Sequence, residues 1–397
     1  MLEYAGSQAG RRADRDEGLA LVGVLRSLDW LMLSGVAGLV AVGLWAVSGA
    51  TRFAVAGDPS YYLHRQTIYA AVGGAALLVG LFVDSDVYRR YWKAIFTGTS
   101  LLIAFVYVVG HAARGSTRWI SLGFFTFQPS EFGKLLFVLA LAGMLAERQR
   151  DLTRWETTLR VVGIGLVPVL LVFAQPDLGT ALVYLAALAA MLFVAGVPWR
   201  HLALLGALVV LLVVGVLWAG PAAGVSVLKG YQQQRLTCFT HPSTCSVDQT
   251  YNLDNSLAAV GSGQIRGRGP NGSSQVRLGF LPESGTDFVF AGYAEQRGFI
   301  GAVILLGLYL LVLWRGLRVV TVARDLFSAI AAGGIVIALM FQIFVNVGMT
   351  MGIAPITGIP LPFVSVGGSS LIANLAAIGV LLAIHARGRV SRYSRRR

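Results

Sequence analysis

The sequence predicts an all-α polytopic membrane protein with ten transmembrane helices, both termini cytoplasmic, and a large extracytoplasmic loop between helices seven and eight. Three observations predict it. The 397-residue chain is 56% hydrophobic and only 13% charged, a balance that no soluble domain needs. Apolar stretches of about twenty residues recur between short polar loops, the length at which a helix crosses a bilayer while bonding its own backbone. Lys and Arg collect in alternate loops, the bias that fixes orientation. Barrel strands would instead alternate polar and apolar positions over about ten residues, and the sequence shows no such alternation. The net charge of +13 belongs to the basic loops. No basic run is interleaved with base-stacking aromatics, so nucleic acid is not an expected partner.

Residues 1–29 carry Arg11, Arg12 and Arg15 beside Asp14, Asp16 and Glu17, too polar for a cleaved signal sequence. They read as a cytoplasmic tail. The predicted spans are 30–47, 66–83, 92–110, 130–145, 161–173, 178–197, 202–219, 299–314, 326–347 and 368–385. The fifth is short. Residues 288–293 could start the eighth span early, and 253–260, too short to cross a bilayer, reads as a surface helix. The ten-helix domain covers 30–387, with the outer loop at 220–298 and a basic cytoplasmic tail at 388–397.

An even count puts both termini on one side, and the charges choose the side. Arg89, Arg90 and Lys93 follow span two, Arg148, Arg150 and Arg154 follow span four, and Arg315, Arg318 and Arg324 follow span eight. Arg392 and Arg395 to Arg397 end the chain, whereas residues 348–367 on the other face contain no Lys or Arg. The basic face is cytoplasmic. The outer loop then holds both cysteines, Cys238 and Cys245, whose spacing and location predict a local disulfide over free thiols or a zinc pair.

Polar residues gather on the outer face. Within residues 276–298 lie Glu283, Asp287 and Glu295, and Asp287 abuts the apolar run Phe288-Val289-Phe290. A carboxylate there must be paired, solvated or functional; hydration of a membrane edge is the plainer alternative. Arg118 and Trp119 precede Gln128, Pro129, Ser130, Glu131 and Lys134. Pro129 suits the first turn of span four, and Glu131 suits its positive end. Lys134 shares a helix face with Glu131 and is either an internal ion-pair partner or a cation for phosphate. Trp119 is either an interface anchor or a wall for a sugar face. In QPDLGT, Asp177 caps span six, a structural role. Residues 251–272 form a Gly- and Asn-rich loop carrying Arg266 and Arg268, suited to close approach by phosphate or simply a flexible surface. Pro355, Pro360 and Pro362 forbid a regular helix across 346–370; such backbone survives at membrane depth only if buried or lining a cavity.

The motifs RWISLG and QPSEFGK at 118–134, QPDLGTAL at 175–182, AVGSGQIRGRG at 259–269, LPESGTDFVFAGYAEQRGFIG at 281–301 and GIPLPFVSVGGSS at 358–370 occur in the order of a known family. Together they cover nearly the whole of 30–387. The chain resembles the shape, elongation, division and sporulation family of bacterial cell-wall polymerases, the RodA/FtsW group, with the elongation type favoured by QPSE and compact tails. The resemblance implies a ten-helix glycosyltransferase polymerising lipid II into peptidoglycan strands outside the cytoplasmic membrane. It implies undecaprenyl-diphosphate-linked glycan as the second substrate and a class B penicillin-binding protein as partner. It makes Asp287 the essential acid, here a candidate general base, with Glu283 orienting or tuning it. Lys134, with Arg118 or Arg266, would then hold the diphosphate, beside the substrate-binding candidates Trp119, Gln128 and Glu131. No cofactor is certain; a divalent cation, Mg or Mn, could assist, but no ligand set is legible. The chain departs from the family pattern at Glu295-Gln296-Arg297-Gly298, where many relatives have Glu-Glu-Leu-Gly, and at Thr126, where many have a basic residue. A lipid flippase would instead need ionisable residues at mid-bilayer, and a scaffold would tolerate loss of Asp287.

Overall fold

Where no water can bond a backbone, the chain must bond itself, so each apolar stretch becomes a helix. The computed structural model describes residues 27–55, 57–109, 111–113, 116–121, 123, 125–215, 239, 245 and 247–394. In chain order the helices are α1 Trp30–Ala50, α2 Tyr61–Phe82, α3 Ser85–Arg90, α4 Trp92–Val109, α5 Pro129–Glu147, α6 Trp155–Ala174, α7 Leu178–Val194, α8 Trp199–Val214, α9 Val247–Ser262, the short α10 Gly269–Gly272 and α11 Ser274–Arg277, then α12 Val289–Val322, α13 Leu326–Thr350 and α14 Gly368–Ser394. Among the described residues, α1, α2, α5, α6, α12, α13 and α14 are long and apolar enough to cross a membrane, and α4, α7 and α8 are shorter apolar helices. Each predicted span overlaps one of these helices, although residues 216–219 of the seventh lie outside the described residues.

Sequence signals set several ends. Asp29 caps α1 by accepting the Met32 N–H at 3.1 Å. Pro129 occupies the first turn of α5, and Asp177 caps α7 by accepting the Thr180 N–H at 3.2 Å. Three differences are informative. Helix α6 begins at Trp155 rather than 161, because its polar first turn, with Glu156 against the positive helix end, is as helical as the apolar part. Residues 289–297 are helical and lead into the eighth span, but the two parts of α12 meet at a kink: Gly298 (φ 64°, ψ −163°) is non-helical, and the Phe299 and Ile300 N–H groups bond the Gln264 and Ile265 carbonyls. Helix α14 continues through Ser394, so the predicted basic tail is helical from 388 to 394.

The fold is also not wholly helical. Strands β1 His111–Ala113, β2 Ser116–Ser121 and β3 Thr126–Phe127 form a small antiparallel sheet in the order β1-β2-β3, with Ile120 opposite Phe127. β-Branched and aromatic residues (Thr117, Trp119, Ile120) favour this hairpin over a plain loop; strands this short escape a reading based on periodicity.

Helices α5, α13 and α14 are the buried centre, and α1, α2, α6 and α12 bury only one side. Helix α8 fully buries only His201, packs Leu202 and Leu205 partly against the core, and leaves most of its other apolar side chains exposed. On the basic face, the Arg315 guanidinium forks onto Asp29 at 2.7–3.0 Å, joining α12 to the start of α1. Helices α2 and α14 touch backbone to backbone: a Cβ on Gly379 would collide with the Leu77 carbonyl, whereas one on Gly74 would meet nothing within 4 Å. Gly379→Ala is therefore expected to destabilise the protein by about 1–3 kcal/mol, and Gly74→Ala to be neutral or slightly stabilising. Thermal unfolding of the two variants in one detergent checks this.

Candidate active site

Asp287 sits on a turn closed by Glu283. Glu283 has φ 55°, a left-handed conformation that a residue with a Cβ adopts only when its surroundings enforce it. Its carbonyl accepts the N–H of Thr286 at 3.0 Å and of Phe288 at 3.1 Å, and its carboxylate accepts the Thr286 hydroxyl at 2.7 Å. Asp287 thus emerges, half-buried, just before buried Phe288 and the positive end of α12.

The irregular segment 351–367 braces this turn from the other side. The Ser365 hydroxyl donates to the Thr286 carbonyl at 2.5 Å and accepts the Leu361 N–H at 2.8 Å. The Val366 N–H donates to the Gly285 carbonyl at 2.8 Å. From α2, the Gln66 amide donates to the Ser365 carbonyl at 3.1 Å and accepts the Gly367 N–H at 3.4 Å. From α13, Asn346 Nδ2 donates to the Asp287 carbonyl at 2.9 Å and to the Ile359 carbonyl at 2.7 Å.

A second cluster joins the two Gln-Pro motifs. Arg118 pairs with Asp177 at 3.3 Å, and its guanidinium lies over the Trp119 ring. Trp119 Nε1 donates to Gln128 Oε1 at 3.2 Å, and Gln128 Nε2 donates to Asp177 Oδ2 at 3.3 Å. Tyr184 donates to the Ser130 carbonyl at 2.9 Å. Asp177 therefore does more than cap α7: it links Arg118 and Gln128. The Ser369 hydroxyl accepts the Gln128 N–H and donates to the Thr126 carbonyl, each at 3.0 Å. Segment 361–370 thus carries both clusters, through Ser365 and Ser369.

Two expected cations are placed differently. Lys134 is buried and bonds Glu131 at 2.8 Å, in a small cavity between α5, α13 and α14 that Gln342 and Asn374 also line. Arg266 is exposed, and none of the described ion pairs includes it. Its loop is tied to α12 by Arg268 N–H to the Glu295 carbonyl (2.9 Å) and Phe299 N–H to the Gln264 carbonyl (2.7 Å). That approach leaves no room for a Cβ at Gly267 (φ 80°), which would meet the Gln296 carbonyl. Glu295 is structural: fully buried, it accepts the N–H groups of Gln275 and Val276 at 3.0 and 3.2 Å. Cys245 is disulfide-bonded; its expected partner Cys238 lies outside the described residues, as do residues 1–26 of the predicted tail.

The described residues contain no group of three or more His, Cys, Asp or Glu side chains able to hold a metal ion. They do not by themselves make a divalent site.

The family model described as "Cell cycle protein" (FTSW_RODA_SPOVE) matches residues 26–390. The chain belongs to the FtsW/RodA/SpoVE family. It is 36% identical to the stage V sporulation protein E of Bacillus subtilis, over 85% of this chain and 89% of that protein. It is 35% identical to the peptidoglycan glycosyltransferase MrdB of Escherichia coli, over 87% and 92%. Among solved structures it resembles a chain from a study of how a peptidoglycan synthase complex coordinates polymerization and crosslinking (TM-score 0.76, 33% identity, 91% and 98% covered). It also resembles the rod shape determining protein RodA of Thermus thermophilus (TM-score 0.66, 31% identity, 90% and 96% covered).

The sequence placed Asn346, Ser365 and Ser369 only within an irregular stretch, 346–370, and did not single out Gln66; the structure shows all four bracing the Asp287 turn or the Gln128 cluster. Gln66 and Asn346 did carry a signal, since each is a polar side chain at the edge of an apolar stretch. The placement of Lys134 generates a test. Removing one member of a buried ion pair strands the other, at about 3–5 kcal/mol, whereas replacing both with apolar residues is often neutral or better. Glu131→Ala is expected to lower thermal stability strongly. Glu131→Leu with Lys134→Met should recover it, and polymerisation by that double variant then reads any role of the pair beyond packing.

Proposed function

We infer that this protein is a peptidoglycan glycosyltransferase that polymerises lipid II at the outer face of the cytoplasmic membrane during cell-wall elongation. The observation that carries the catalytic assignment is a carboxylate, Asp287, presented on a turn that a strained Glu283, Ser365, Gln66 and Asn346 all brace. The activity itself is supported by the names of similar proteins over nearly their full lengths.

In this reading Asp287 takes the proton from the 4-hydroxyl of the acceptor's N-acetylglucosamine. The freed oxygen bonds to the anomeric carbon of the undecaprenyl-diphosphate-linked glycan, and the bond from that carbon to the diphosphate oxygen breaks. Undecaprenyl diphosphate leaves with the electron pair, and the proton stays on Asp287. Positive charge at the leaving group favours that bond's breaking. Exposed Arg266 and part-exposed Arg118, which shares Asp177, are the candidate cations to supply it, while Lys134 is neutralised internally by Glu131. A divalent cation, Mg or Mn, would add to that charge if the diphosphate oxygens themselves supplied most of its ligands.

The topology that fits this chemistry has ten spans and both termini inside, which places Asp287 outside; the basic loops support it. A class B penicillin-binding protein is the expected crosslinking partner, in line with the peptidoglycan synthase complex one of whose chains this chain resembles.

Purified protein, with and without a class B partner, should convert lipid II to glycan strands. Since a positioned base contributes about 10²–10⁴-fold, Asp287→Asn should lower the rate at least that far while keeping the wild-type unfolding temperature. Polymerisation at the wild-type rate by a folded Asp287→Asn protein would overturn the assignment of the base.

A further inference from the structure

We propose that Asn346 is a positioning residue for glycosyl transfer, holding the backbone of Asp287 in register with the outer end of α13. The proposal rests on the reading of Asp287 as the base. Asn346 is completely buried in α13, one of the central helices. Both of its described side-chain bonds run from Nδ2 to backbone carbonyls, those of Asp287 and Ile359. Carbonyls only accept, so these two partners fix which end of the amide is nitrogen and use both of its hydrogens. Its Oδ1 faces the other way, buried and without a hydrogen-bond partner among the described residues.

That arrangement is costly for a residue that only fills space. A buried acceptor without a partner loses its hydration, a cost that an apolar side chain of the same size would avoid. What Asn346 supplies in return is geometric. It spans two chain segments, 281–288 and 351–367, that meet nowhere in sequence, and refers both to a rigid helix. The other braces, Ser365 and the Val366 N–H, act on Thr286 and Gly285. The Asn346 bond is made to Asp287's own peptide. A carboxylate acting as base must lie within hydrogen-bond reach of the hydroxyl it deprotonates, and a displacement of about 1 Å can cost about 10²-fold.

The test is steady-state polymerisation of lipid II by the full chain with its class B partner, comparing wild type, Asn346→Ala, Asn346→Ser, Asp287→Asn and Asp287→Glu. Positioning predicts that Asn346→Ala lowers kcat about 10²-fold and leaves KM for lipid II within about threefold. Asn346→Ser, which keeps a hydroxyl donor, should lose less. In the Asp287→Glu background, where the longer carboxylate has already left the native register, Asn346→Ala should cost no more than about threefold. A purely structural role would instead lower the unfolding temperature and cost the same factor in both backgrounds. Wild-type kcat in folded Asn346→Ala, a loss confined to KM, or equal losses in both backgrounds would each overturn the proposal. If Asn346→Ala does not fold, Asn346→Ser is judged by the same criteria with a loss of at least tenfold required, and if Asp287→Glu is inactive the kcat-against-KM split decides. An active Asp287→Asn protein would remove the base assignment and this proposal together. An inactive one beside fully active Asn346→Ala would remove this proposal alone.

Discussion

A backbone that leaves the helix at membrane depth must find a partner for every N–H and C=O it exposes, and segment 351–367 is where this chain meets that constraint. Three prolines there prevent the backbone from bonding itself as a helix. Its polar groups turn to Gln66 in α2, Asn346 in α13 and the Thr286–Gly285 turn, and Ser369 at the start of α14 adds Gln128 and Thr126. The partners that satisfy this segment are the groups on either side of Asp287. Bracing of the site is thus a consequence of burying an irregular strand of chain, and the order of the motifs in sequence does not reveal it.

The same economy of polar groups explains the charge distribution. Deep between α5, α13 and α14, Glu131 and Lys134 neutralise each other, which is what a low-dielectric interior demands. Away from that centre, Arg118 shares Asp177 with Gln128 and keeps part of its side chain exposed. On the loop before α10, Arg266 is exposed altogether. Cationic charge therefore becomes more available away from the buried centre of the bundle. Asp287 and Glu283, on the same turn, are half-buried: the Glu283 carboxylate accepts the Thr286 hydroxyl, and the Asp287 backbone carbonyl accepts the Asn346 amide.

Much of the fold was legible because apolar length and end signals act locally. Pro129 and Asp177 start their helices where the sequence puts them, and the apolar run after Phe288 is helical up to the kink at Gly298. The sheet over 111–127 was not legible, since strands of two to six residues carry too little periodicity to stand out from a loop. The site was half legible. Asp287, Glu283, Arg118 and Gln128 are chemically conspicuous, whereas Gln66 and Ser365 meet across 299 positions and Gln128 and Ser369 across 241. Such pairings follow from how helices pack, which one sequence does not state. Glu295 shows the converse: it looks like a third candidate acid until its partners prove to be the backbone N–H groups of α11.

The central claim is that segment 361–367 holds the Asp287 turn through Ser365. Hydrogen exchange on Ser365→Ala beside wild type, in the same detergent, measures it most directly. The account predicts that exchange across 283–289 and 359–367 speeds up together by at least about tenfold, the equivalent of losing about 1.4 kcal/mol of local protection, while α1 is unchanged. Wild-type protection of 283–289 in the Ser365→Ala protein would contradict it.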